Sequence, residues 1–110
     1  MELGVREYKR VNVIRVTGRV DASVAPQFED LLRQQVETGH AHLILEMDST
    51  DYISSAGVRA LISAQKALKG RGGGVILAQP SERVKEVLNI AGLDVLFQVY
   101  PDTEAAIGSV

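Results

Sequence analysis

The spacing of apolar residues changes several times along this chain, and each change marks an element. Val5 to Lys9 and Val11 to Thr17 read as two strands. In the second, Val11 and Val13 alternate against Asn12, Ile14 and Val16, so apolar residues fall on both faces and both faces are expected to be covered. Arg10 and its neighbours make a tight connection, and a hairpin is the simplest topology. Gly18 to Ser23 reads as a loop that leads into a helix. There Asp21 and Ser23 are candidate caps, Pro26 sits in the first turn, and Phe28, Leu31, Leu32, Gln35 and Val36 recur at helical spacing until Gly39. His42 to Met47 is apolar on both faces and reads as a central strand.

A long helical pattern occupies Val58 to Lys69, with Val58, Leu61, Ile62, Gln65 and Leu68 inward and Arg59, Ser63 and Lys66 outward. Ala60, Ala64 and Ala67 form a third line of small side chains, against which the sheet or a second chain could pack. A glycine-rich turn, Gly70 to Gly74, precedes a buried-type strand, Val75 to Ala78. Ser81 then caps a third helix with Val84, Val87, Leu88 and Ala91 inward, ending at Gly92. A last strand is expected around Leu96 to Val99, and a short helix over Thr103 to Ile107. Helix-linked strands imply parallel pairing with right-handed crossovers, and the first hairpin makes the sheet mixed.

Composition narrows the function classes. The chain has 110 residues, enough for one domain with a modest core, and its apolar share of 45% argues against disorder. A net charge of −2 offers no basic excess for a nucleic-acid backbone. No cysteine is present, which removes disulfides, thiolate metal sites and thiol chemistry and fits a cytoplasmic protein. No apolar run reaches the length of a membrane span, so no membrane insertion is expected, and the N-terminus lacks the features of a signal peptide.

One stretch carries candidate chemistry. From Met47 to Leu61 the chain passes from a strand to a helix through Asp51-Tyr52-Ile53-Ser54-Ser55-Ala56-Gly57-Val58. Two adjacent hydroxyls therefore stand at a helix N-terminus, where backbone N–H groups are unpaired and anions are favoured. On spacing alone, Ser55 reads as an N-cap, and Ser54 as a second cap or a second acceptor. Gly57 reads as a point of close approach of backbone to backbone in the first helical turn.

This stretch resembles the signature of the STAS domain, most closely that of the bacterial anti-sigma factor antagonists, in which a strand, an aspartate and an aromatic-Ile step lead to Ser-Ser/Ala-Gly. Gly18-Arg19-Val20-Asp21-Ala22 is similar to the family's Gly-Arg-Leu-Asp-Ala before its first helix. The resemblance spans about residues 5 to 107, so the whole chain, 1–110, is expected to form a single STAS domain. It implies an α/β fold: a mixed central sheet of four or five strands with helices mainly on one side. It implies phosphorylation at Ser55, with Ser54, which replaces the aspartate of many members, as second choice. It also implies a partner surface around Asp21, Ser23, Ser54, Ser55, Gly57 and Arg59. The partner would be an anti-sigma factor that is a serine kinase and brings its own ATP and magnesium, with a phosphatase to reset the switch. The chain would be no enzyme, would hold no cofactor or metal, and would be a monomer or weak dimer. A structural subunit of an ABC-type lipid transport system is the alternative on the same fold.

Rival sites are weaker. Gly70-Arg71-Gly72-Gly73-Gly74 follows a helix and precedes a strand, the reverse of a phosphate loop, and lacks Gly-Lys-Ser/Thr. His40 and His42 would point to opposite sides of an extended segment. Asp48 and Asp51 suit turn or capping roles better than a metal. A hydrolase with Ser55 as nucleophile lacks the Gly-x-Ser-x-Gly elbow.

Overall fold

The computed structural model describes all 110 residues. Strands β1 (Glu2–Tyr8) and β2 (Val11–Val20) form the expected hairpin, closed by a two-residue connection in which Lys9 takes a left-handed φ of 56°. Helix α1 (Ala25–Glu37) leads to β3 (His42–Glu46), then β4 (Thr50–Ile53) and α2 (Ser55–Lys69). Strand β5 (Gly74–Ala78), helix α3 (Glu82–Ile90), β6 (Gln98–Tyr100) and α4 (Thr103–Gly108) complete the chain. The main sheet runs β1-β2-β3-β5-β6, antiparallel only at the hairpin.

Single-residue alternation in the central strands assigns the two faces. Leu43 and Leu45 of β3 and Val75 and Leu77 of β5 join Phe28, Leu32, Leu61 and Leu68 in the larger core under α1, α2 and α3. Val11 and Val13 of β2 face the other way with Ile44, Ile76 and Ala78, and Ala106 of α4 packs on them. Complete burial of a side chain such as Phe28 or Leu32 is worth roughly 1.5–3 kcal/mol. Three helices on one side and one short helix on the other match the expected architecture.

Four details differ from the sequence reading. The sheet has a sixth strand: β2 runs on to Val20, and its tail leaves the main sheet to pair in parallel with β4, Gly18 with Thr50 and Val20 with Ile53. The departure comes at Gly18, where φ is 91°. β4 was hidden because its four residues include Asp51 and Thr50 and show no apolar run. Helix α2 begins at Ser55, three residues before its apolar stripe. β6 is confined to Gln98–Tyr100, while Leu96 lies in a turn whose N–H donates to the Leu93 carbonyl at 3.0 Å. Finally, the alanine line packs on neither the sheet nor a second chain: Ala60 and Ala64 are buried where α2 meets α1, and Ala67 is exposed.

Two polar clusters fasten helices to the sheet. Gln65, buried in α2, accepts from Val75 N–H of β5 at 2.6 Å and donates to the Leu96 carbonyl at 2.7 Å. On the other face Glu46 receives both Arg6 guanidinium nitrogens at 2.9 and 2.8 Å and the Thr103 hydroxyl of α4. The Arg6 hydrogen bonds lower the Glu46 pKa to about 2 against the opposing effect of burial, with the Thr103 hydroxyl and the Arg15 charge adding to the shift. Within the glycine tract, Gly73 has a steric reason: a Cβ there would sit 1.6 Å from the Ala41 carbonyl oxygen.

Candidate functional site

The loop before α2 is held from three sides. Ser54 N–H donates to the Val20 carbonyl at 2.8 Å, joining it to the end of β2. The buried Thr50 hydroxyl donates to the Val16 carbonyl at 2.9 Å. Ser81, the N-cap of α3, donates from its hydroxyl to the Thr50 carbonyl at 2.7 Å and accepts from Val84 N–H at 3.2 Å. One serine thus caps α3 and anchors β4 at once.

The two adjacent serines divide their roles. Ser54 has extended backbone angles (φ −81°, ψ 168°), is only 8% exposed, and its Oγ accepts from Gly57 N–H at 3.2 Å. It is the N-cap. Ser55 is the first residue of the helix and is exposed, so its side chain is not needed for capping. The capping alternative read for Ser55 therefore falls to its neighbour. Gly57 lets this turn sit low: an added Cβ would meet Ile53 Cγ1 at 2.8 Å and Val20 Cγ1 at 3.0 Å. The close approach is to two side chains rather than to backbone.

Asp21 follows Val20 and so lies at the same end of the sheet. Its Oδ1 accepts from the Ser23 hydroxyl at 2.6 Å, Ser23 N–H at 3.0 Å and Val24 N–H at 3.3 Å. The Ser23 hydroxyl is the main reason the Asp21 carboxyl lies below its ordinary range, with the two N–H groups adding to it. Ser23 is a donor to Asp21 rather than a cap of its own, and the formal N-cap of α1 is Val24, with no side-chain hydrogen bond. Arg59 is exposed one turn beyond Ser55 on α2, and the two line one groove between α2 and α3.

Residues outside the sequence shortlist join this surface. Tyr52 of β4 has the Arg19 guanidinium 4.5 Å and the Arg83 guanidinium 5.7 Å from its ring centroid. Tyr52 is the aromatic of the motif, but no local spacing links it to Arg83 on α3. Asp48 pairs with Arg15 at 3.1 Å, and Asp51 is exposed. His42 opens β3, whereas Ser55 lies beyond the far end of β2, so no Ser-His pair is assembled. His40 meets Glu7 at 3.1 Å. No group of three or more His, Asp or Glu side chains is arranged to hold a metal ion, and no helix is long and apolar enough to cross a membrane.

Known proteins place this architecture. The STAS domain family model matches residues 2–106. BtrV of Bordetella bronchiseptica, which carries the name anti-sigma factor antagonist, is 32% identical over 106 residues, 96% of this chain and 91% of that protein. Among solved structures, SpoIIAA in its unphosphorylated form superposes with a TM-score of 0.82 at 21% identity, covering 99% of this chain and 98% of its own. The Bacillus cell fate determinant SpoIIAA in its phosphorylated form gives 0.76 at 20%, covering 99% and 100%. With a matching family model over nearly the whole length and a relative above 30% identity, the chain belongs to the STAS domain family and, within it, to the anti-sigma factor antagonists.

Proposed function

We propose that the whole chain acts as one phospho-switch in the cytoplasm. In its unmodified form it binds an anti-sigma factor that is itself a serine kinase, and a sigma factor is released. The kinase transfers the γ-phosphoryl group of its own ATP to Ser55 Oγ; the hydroxyl proton leaves, ADP remains with the kinase, and the complex separates. A phosphatase restores the hydroxyl by hydrolysis. The chain supplies no catalytic group and holds no cofactor or metal in this cycle; it presents a substrate hydroxyl and a binding surface built from Asp21, Ser23, Ser54, Ser55, Gly57 and Arg59. It works as a monomer or weak dimer, a reading supported by the burial of Ala60 and Ala64, which leaves only Ala67 of the alanine line exposed.

One observation carries this reading: Ser54 already caps α2, and Ser55 is exposed with no structural duty. A phosphate there adds about −1.5 to −2 charge beside a helix N-terminus, which tolerates it. The fold need not change, but a partner fitted against the hydroxyl loses its contact. SpoIIAA, which shares the fold, is known in both unphosphorylated and phosphorylated forms.

The test is intact mass and peptide mapping after incubation with purified anti-sigma factor serine kinases of the source organism and Mg-ATP. One added phosphate on Ser55 is expected. Ser55→Asp should weaken kinase binding while Ser55→Ala preserves it. Phosphate on Ser54 alone, or equal binding by both variants, would overturn the assignment.

A further inference from the structure

The surface that bears Ser55 continues into an apolar groove of about 420 Å³ between α2 and α3. Two helical stripes line it. On α2 these are Ser55, Val58, Arg59 and Ile62, and on α3 Val87 and Ile90, three residues apart. Val58, Ile62, Val87 and Ile90 form its apolar wall, with Ser55 and Arg59 beside them. Ile90 is 78% exposed, an uncovered side chain at the end of an otherwise amphipathic helix.

The lining of the groove carries one positive charge, Arg59, and no carboxylate. Three other arginines are committed to carboxylates: Arg6 grips Glu46 at 2.8 Å, Arg15 Asp48 at 3.1 Å and Arg33 Asp30 at 2.9 Å. Arg19 and Arg83 lie over Tyr52 instead, Arg83 reaching only the exposed Glu86 at 3.8 Å, and Arg59 beside Ser55 forms no ion pair. In a chain of net charge −2, the one charged side chain that lines this groove is thus an unpaired arginine, Arg59.

We propose that this groove seats an apolar side chain from an acidic segment of the anti-sigma factor, a carboxylate of which meets Arg59. The proposal rests on the partner reading above and adds the chemistry of the contact. A second copy of this chain is a poorer occupant, because a two-fold interface would bury Arg59 from both copies among lining residues that offer no carboxylate. The arrangement also accounts for release. A phosphate on Ser55 stands one helical turn from Arg59, competes for the guanidinium that the partner's carboxylate uses, and places anion against anion.

The test measures binding of the same purified anti-sigma factor kinases by calorimetry to the wild type, Ile90→Asp, Arg59→Glu and the control Val95→Asp. Val95 is 89% exposed and outside the groove, and thermal melts would verify that each variant is folded. Both groove variants should raise Kd about tenfold or more, with the control within about twofold of wild type. Groove variants that bind as tightly as a binding wild type overturn this proposal and leave the Ser55 switch standing. A wild type that binds none of the kinases overturns the switch and this proposal together. Sedimentation showing a wild-type dimer that Ile90→Asp dissociates assigns the groove to a second copy and overturns it too.

Discussion

Replacing each of the two adjacent serines by alanine should have sharply different effects on stability. Ser54→Ala removes the oxygen that accepts from Gly57 N–H at 3.2 Å, in a site only 8% exposed. Loss of a serine cap costs about 1 kcal/mol, and up to about 2 kcal/mol where the orphaned N–H is kept from water. The tight seat of Gly57 on Ile53 and Val20 holds that N–H away from solvent, so the upper half of the range is expected, about 1.5 kcal/mol. For a domain of this length that corresponds to a fall in Tm of roughly 5 °C. Ser55→Ala, at an exposed first helical position, should stay within about 0.5 kcal/mol of wild type. Urea unfolding followed by far-UV circular dichroism measures both, with the slope m unchanged if only the native cap is affected. Equal losses, or a larger loss for Ser55→Ala, would refute the division of roles and with it the argument that Ser55 is free to be modified.

Glu46 sets an acid limit on stability. Its folded pKa of about 2 lies below the ordinary 4.5, so its contribution is fully present above pH 4.5 and drains away as pH falls toward 2. Glu46→Gln should lose about 2–3 kcal/mol at pH 7 and converge on wild type near pH 2 in a pH series of urea midpoints, and a pH-independent gap would contradict this. Gln65→Leu strands the Val75 N–H and the Leu96 carbonyl, so a cost of about 1–3 kcal/mol is expected. Amide exchange at Val75 should quicken by more than at Val84, whose partner is Ser81; equal changes would speak against a local role for Gln65.

Much of the fold was legible because its central strands are wholly apolar and short. Leu43 to Leu45 and Val75 to Ala78 admit little but buried parallel strands, and Ser81 announces α3 by its position alone. β4 escaped because its partner is not a sequence neighbour: Thr50 and Tyr52 become strand residues only where the tail of β2 runs alongside them. The Ser54-Ser55 pair was legible as a helix start, but not which hydroxyl caps, since a shift of one residue satisfies the same motif. Ile53 and Val20 under Gly57 fix that register in three dimensions. Arg83 and Ile90 joined the surface unannounced, because α3 approaches β4 and α2 through tertiary packing.

Helix α2 is fastened along its length, with Gly57 wedged on Ile53 and Val20, Ala60 and Ala64 pressed to α1, and Gln65 hooked to two segments at once. A rod clamped at so many points makes a poor lever. Sliding or turning it to relay an event from one end would break the Gln65 hydrogen bonds and drive its first turn into side chains with no room to give. Information written at the tip of α2 stays where it is written, to be read by whatever touches that surface.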